Sequence, residues 1–175
     1  MEQERFISNE SLINEKCSEW TKLEDTNNGW GTKYYNPIDN SNWILVKLET
    51  EYHGGSYPVL IKEPEPNQSE LIEIALSTSD INVVATSASL LMYNERDLKK
   101  EFRKELIERL ESHNNQLNSF EYERIKTIIE DSGLYDSTNL KPIIGKSAVE
   151  VNEDYLFYKS IAERAKKIIT TANND

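Results

Sequence analysis

Residues 51–60, EYHGGSYPVL, hold the residue types that come nearest to catalytic machinery in this chain. A histidine followed by two glycines can line the oxyanion hole of lipases and esterases, where backbone N–H groups meet the developing oxyanion. Such a site also needs a serine on a sharp strand-to-helix turn, marked by G-x-S-x-G, and the chain contains no such motif. The doubly wound sheet that carries those enzymes is not expected either, because helix and strand patterns do not alternate here. Gly54 and Gly55 are better explained by a hairpin turn, where glycine takes positive φ without steric cost.

Other chemistries meet similar obstacles. Zinc needs three or four ligands at compatible spacing. His53, His113 and Cys17 are remote from one another in sequence. No metal site and no cofactor are expected. Glu49 and Glu51 lie two apart on a predicted strand and share its face. Paired carboxylates serve glycoside hydrolysis, yet two glutamates on the polar side of a half-exposed strand are ordinarily just solvated. Cys17 falls on the apolar stripe of a predicted helix and reads as a small core residue. The closely spaced glycines, Gly29 with Gly31 and Gly54 with Gly55, open no strand-turn-helix unit, so neither a phosphate loop nor a dinucleotide fingerprint is present. A non-catalytic protein is expected; the alternatives are an enzyme using His53 with Glu49 or Glu51 in a cleft, or a structural oligomeric subunit.

The aromatic residues are more informative. Trp30, Tyr34, Tyr35, Trp43, Tyr52 and Tyr57 crowd into one stretch of turns and short strands. Tryptophan and tyrosine offer large rigid contact area with one polar handle, which makes them frequent binding anchors. Trp43 and Tyr52 are expected in the seam between a β-element and helices. Trp30, Tyr34, Tyr35 and Tyr57, with His53 at the turn, are the candidate partner-binding residues, or else part of the same seam.

These residues must be held by a fold, and the patterning predicts an α+β one, predominantly α. Residues 9–21 read as an amphipathic helix capped by Asn9, with Leu12, Ile13, Cys17 and Trp20 on one side. The turn-rich stretch that follows predicts an ordered loop or short hairpin. WILVKLETEY, 43–52, alternates with period two, and YPVLIKE, 57–63, is a second apolar run; together they predict a small antiparallel hairpin. Pro58 confines its second strand to an edge, or delays pairing until after that residue. Beyond Pro64 and Pro66 the period becomes helical. Asn67 and Glu70 resemble a capping box, and Asp80 caps a helix that is small or apolar on both faces. RDLKKEFRKELIERLES predicts one surface helix with Leu98, Phe102, Leu106 and Leu110 on its dry side. A fourth helix runs from about Ser119 to Ser132 with Gly133 as its stop. Residues 134–151 predict a connection, and Asn152 predicts the cap of a long final helix with Tyr155, Tyr158, Ile161, Ala165, Ile168 and Ala172 inward. The expected organisation is a single domain, with an N-terminal helix and hairpin lobe over 1–62 packed on an antiparallel helical lobe over 63–175.

Charge narrows the partners. The net charge is -11, with 10 acidic against 6 basic residues in 1–62 and 21 against 14 in 63–175, so both parts are acidic. Nucleic acid and anionic membrane surfaces are unexpected partners, since both are bound through clustered Lys and Arg. A basic protein partner would be drawn in. The lone cysteine excludes an intrachain disulfide and suits a cytoplasmic setting. MEQERFISNE lacks the apolar core of a signal peptide, and the apolar runs fall short of the roughly 20 residues that span a membrane.

Two resemblances follow. Residues 71–111, with SDINVVATSASLL at their centre, resemble HEAT-like helical repeats, in which a short helix, an Asp-capped turn and a second helix stack on their neighbours; no fixed repeat period surrounds them. The acidic helical body together with GWGTKYY also resembles the small cytoplasmic immunity proteins of bacterial toxin systems. That resemblance implies binding and neutralising a toxin, commonly by covering its active site, and it assigns no residue a role.

Overall fold

A computed structural model describes residues 5–26, 31–50, 55–112 and 118–172, with the backbone alone at 49, 50, 55, 56 and 172. Six helices and one five-stranded antiparallel sheet make the fold α+β. The chain divides into two compact units, residues 1–67 and 68–175.

The first unit is a sheet braced by a helix. Its elements are β1 (Phe6–Ile7), α1 (Glu10–Glu19), β2 (Thr21–Thr26), β3 (Gly31–Asn36), β4 (Ser41–Thr50) and β5 (Gly55–Lys62), and the strands lie in the order β1-β5-β4-β3-β2. Asn9 starts α1 as expected: its Oδ1 accepts from the Leu12 N–H at 3.0 Å, satisfying one of the helix's free donors. At Trp20 the backbone turns extended and enters β2 with no intervening loop.

The predicted hairpin is real but is only the inner pair of the sheet, β4 with β5. The stretch expected as a loop or short hairpin forms β2 and β3. β2 (TKLEDT) is exposed along almost its whole length, so it lacks the apolar alternation that marks a buried strand, and main-chain pairing to β3 holds it in place. Gly31 permits this pairing at its close point, because a Cβ there would stand 2.5 Å from Thr26 Oγ1. Pro58 neither confines β5 to an edge nor delays its pairing: β5 lies between β1 and β4 and pairs with β4 from Gly55 to Lys62, with Pro58 opposite Lys47, because the side of Pro58 that lacks an N–H faces no strand. β1 meets β5 only at Leu60 and Ile61, so it does not reach Pro58.

One sheet face receives α1. Ile7, Trp43 and Leu60 pack there with Ile13 and Trp20, joined by Leu45, Tyr34, Leu12 and Cys17. The Trp20 and Trp43 rings meet at 5.3 Å between centroids, tilted by 38°. On the opposite face Phe6, Ile44, Val46, Leu48, Val59 and Ile61 are all buried. Trp43 therefore sits in the core beneath α1.

The second unit comprises α2 (Gln68–Ser77), α3 (Ile81–Leu98), α4 (Arg103–Ser112), α5 (Ser119–Asp131) and α6 (Ala148–Ala172). Asp80 caps α3 through Oδ1 to Asn82 N at 2.9 Å. α3 is central because its small polar residues satisfy themselves: the Thr86 and Ser87 hydroxyls donate to the Asn82 and Val83 carbonyls at 2.7 and 2.8 Å. Two expectations need correcting. The helix predicted from Arg96 to Ser112 is broken, since α3 continues to Leu98, Lys99 takes φ 57 in the left-handed region, and α4 begins only at Arg103. α6 begins a turn earlier than Asn152, because Ser147 and Glu150 form a reciprocal capping box. Tyr155 is 47% exposed and lies off the buried stripe of Tyr158, Ile161, Ala165 and Ile168.

Asp131 closes α5 at the helix's negative end, and burial, with Glu130 beside it, pushes its carboxyl up to about 6. The folded state thus holds this proton more tightly than the unfolded chain, whose value is near 3.9. The stability cost is full above pH 6 and disappears as pH falls toward 4. Asp131→Asn is expected to stabilise the protein at pH 7 by about 1–2 kcal/mol, after discounting for partial exposure. Thermal melts of both proteins should converge at pH 4; a gap independent of pH would refute this origin.

Candidate functional site

The helical unit is organised around a buried cation. Arg103, the first residue of α4, is 2% exposed, and Glu95 of α3 is 5% exposed. The Arg103 Nε donates to both carboxylate oxygens of Glu95, at 2.7 and 3.0 Å. Its Nη1 donates to the carbonyls of Gly133 and Asp136, both at 3.0 Å. Its guanidinium carbon lies 4.8 Å from the centre of the Tyr158 ring, and the Tyr158 hydroxyl donates to Glu95 at 3.4 Å. Burial pushes the Glu95 carboxyl up against the opposing pull of Arg103, and burial with the nearby Glu95 charge raises Tyr158 to about 12. Sequence periodicity had set Arg103 on the charged face of a surface helix; these partners explain why it is inside.

Two of those partners belong to the connection between α5 and α6. Gly133 ends α5 at φ +66, and the chain is then pinned in steps. Lys141 N donates to Asn139 Oδ1 at 2.8 Å. Lys141 Nζ reaches Glu101 at 3.0 Å and Asp154 at 3.6 Å, and lies 5.2 Å from the Phe157 ring centre. Lys146 also pairs with Asp154. Lys146 holds the Asp154 carboxyl below its usual range, with Lys141 adding to the effect, and the Glu101 bond raises Lys141.

Between these anchors the chain makes a tight turn. Lys146 N donates to Ile143 O at 3.2 Å, and Gly145 takes φ +83, the geometry that a turn with glycine at its third position requires. Ile144, at the second position, is 95% exposed, and Ile143 is 59% exposed. The first turns of α6 add Val149 at 67%, Leu156 at 51% and Tyr155 at 47%. A groove of about 580 Å³ runs between turn and helix, lined by Asn139, Ile143, Lys146, Val151, Asn152 and Tyr155. Of the exposed apolar residues, Ile143 and Tyr155 line this groove, while Ile144, Val149 and Leu156 are exposed on the same stretch of chain outside its lining.

A second cleft, of about 350 Å³, opens beside Glu95, Glu101, Phe102, Arg103, Lys141 and Phe157. Four of its charges are paired within it, Glu95 with Arg103 and Glu101 with Lys141, and Lys104, Glu105 and Glu108 complete its lining. In the sheet unit, a recess of about 270 Å³ is lined by Trp20, Trp43, Ile38, Asp39 and Lys62. Lys62 pairs with Asp39 there at 2.9 Å and lies 5.6 Å from the Trp43 ring centre. Among the described residues no group of three or more His, Cys, Asp or Glu could hold a metal ion. No helix among them is long and apolar enough to cross a membrane.

The residues expected to bind a partner are dispersed. Trp30 and His53 lie outside the described residues, as do Glu51, Tyr52, Gly54 and His113. Glu49 stands in β4 opposite Ser56, its side chain not described. Tyr34 sits on the α1 face of the sheet, where its hydroxyl bonds the Cys17 thiol and burial raises both groups. Tyr35 points to the other face and donates to Asn40 Oδ1 at 2.6 Å. Tyr57 is 41% exposed and shares that face, but it pairs with Leu48 while Tyr35 pairs with Asn42, about 20 Å away along β4. The apolar ledge was not singled out from sequence. Its signal was Pro142-Ile-Ile-Gly145, a turn carrying two large aliphatics, followed by Val149 and Leu156 off the buried stripe of α6.

No family model matches the chain, and no similar protein was found among curated sequences or solved structures. The site's own geometry must carry the reading.

Arg103→Met leaves Glu95 buried without its counter-charge and frees two carbonyls of the α5–α6 connection. A loss of about 3–5 kcal/mol is expected in urea denaturation, and Glu95→Leu added to Arg103→Met should restore part of it. A single variant within about 1 kcal/mol of the parent would show that the pair is no clamp.

Proposed function

We propose that this protein is non-catalytic and acts by binding another protein, a basic one, through the ledge formed by the Ile143–Lys146 turn and the first turns of α6. The observation that carries the reading is the exposure of Ile143, Ile144, Val149, Tyr155 and Leu156 on a firmly anchored segment. A net charge of -11 favours a cationic partner and speeds its encounter. On the sheet unit, Tyr57 is an exposed residue of the expected partner-binding set. The resemblance to immunity proteins supports the narrower form in which the partner is a toxin that this protein neutralises in the cytoplasm. HEAT-like stacking of α2 to α4 is the matching proposal for the helical scaffold.

Capture from the native lysate tests this with the full chain and with Ile144→Asp, an exposed change expected to leave the melting temperature within about 2 °C. The parent should retain a specific basic protein that the variant loses, and retention should weaken as salt rises. Equal recovery by both proteins, or recovery of no specific partner, would overturn the reading.

A further inference from the structure

We infer that the cleft beside Arg103, separate from the ledge, takes a small uncharged molecule: a primary amide on a flat aromatic body, its carbonyl on Arg103 Nη2 and its NH2 group on carboxylates of the lining. The observation behind it is a donor left over. A guanidinium carries five N–H groups. In Arg103 the one on Nε is spent on Glu95, and Nη1 is spent on the carbonyls of Gly133 and Asp136. Nη2 meets no acceptor among the described residues, although the side chain is only 2% exposed. The described side-chain atoms sealed from solvent without a partner do not include it, so Nη2 keeps access to solvent, and Arg103 lines this cleft. A buried donor without an acceptor is unfavourable, and a ligand oxygen placed there removes that cost.

The kind of oxygen follows from the charges around it. Glu95 already neutralises the guanidinium. In the lining Glu95, Glu101, Glu105 and Glu108 outnumber Arg103, Lys104 and Lys141. A carboxylate or phosphate would bring one more like charge to that set, in a protein of net charge -11. A carbonyl accepts from Nη2 without that penalty. The surplus carboxylates call for donors in turn, and a carboxamide supplies acceptor and donors from one planar group. Apolar contact comes from Phe102 and Phe157, and the Phe157 ring stands edge-on to Tyr158 at 5.4 Å between centroids. A flat aromatic body suits such walls, because rings attract in offset and edge-to-face arrangements. A volume of about 350 Å³ falls in the range of small-molecule sites.

Three probes of one shape separate these requirements: benzamide, benzoate and benzamidine. Benzamide offers acceptor and donors without charge, benzoate only acceptors with negative charge, and benzamidine only donors with positive charge. Each is titrated into the ¹⁵N-labelled full chain, and binding is read from amide chemical shifts. Benzamide should bind with a Kd of about a millimolar, as its size allows, and its shifts should concentrate on residues 101–108 and 157–158. Benzoate and benzamidine should each bind about tenfold more weakly or worse. Phe157→Leu keeps an apolar side chain but removes an aromatic wall, and should weaken benzamide severalfold with a melting temperature within about 2 °C of the parent. If that variant does not fold, the shift map of the parent decides alone. Equal or tighter binding of benzamidine would mean attraction to net charge, and equal or tighter binding of benzoate would mean that Arg103 retains an uncompensated charge; either overturns the inference. Benzamide shifts that fall elsewhere, or none at all, overturn it too. The protein-binding reading of the ledge stands or falls separately, on lysate capture with Ile144→Asp.

Discussion

The outer surface of the helical unit depends on a buried guanidinium. A cation at the first position of α4 is unfavourable on its own, because the helix dipole places positive charge there. Glu95 offsets that cost. On its other side Arg103 meets the Gly133 carbonyl just past the end of α5, where cations are favoured and where carbonyls lack helical partners. One side chain thus neutralises α3's buried acid and closes the end of α5. With Tyr158 of α6 stacked on it, the same group ties α4 to α3, to the chain just past α5 and to α6. Removing the ion pair as a unit costs less than breaking it, since each charge is there to compensate the other.

From that anchor the α5–α6 connection inherits its order. Asp136 is fixed by Arg103, residue 141 by Glu101 and Asp154, residue 146 by Asp154, and residue 147 by its cap with Glu150. A turn held at so many points can display two isoleucines to solvent without collapsing over them. Exposed apolar side chains on a fixed backbone lose little conformational freedom on binding, which favours a contact role over disordered display. The neighbouring cleft serves this arrangement, its Lys141–Glu101 pair tying the connection back to the α3–α4 link.

Local signals are legible in the sequence. Asn9, Asp80 and Gly133 act as the caps and the stop that their types predict, because capping is a matter of three or four neighbouring residues. Non-local effects are not. Nothing adjacent to Arg103 says that it is buried: its acid is a helix away, its carbonyl acceptors lie on another connection, and its aromatic partner is on α6. Leu98 and Phe102, four apart, suggested one continuous helix, while the left-handed Lys99 that breaks it is stabilised by bonds to Asn94 and Arg96. β2 carries no alternation because an edge strand paired on one side and wetted on its faces needs none. The start of α6 was legible in Ser147 and Glu150, and the competing cap candidate Asn152 lies inside the helix. The candidate site followed the same division. The aromatic stretch stood out by composition but alternates between sheet faces, whereas the ledge depends on where the buried stripe of α6 begins, which packing decides.

The first unit joins its outermost strands through α1, so that β1 lies at one edge of the sheet and β2 at the other. During synthesis β2, β3 and β4 can pair in sequence as a meander while Phe6 and Ile7 have no neighbour. Their partners, Leu60 and Ile61, emerge only at the unit's far end. The sheet therefore closes by a long-range contact made last, of the kind that slows folding. Until then the apolar α1 face stays partly open on a nascent chain, and the span from ribosome exit of residue 7 to that of residue 62 sets how long it needs shielding.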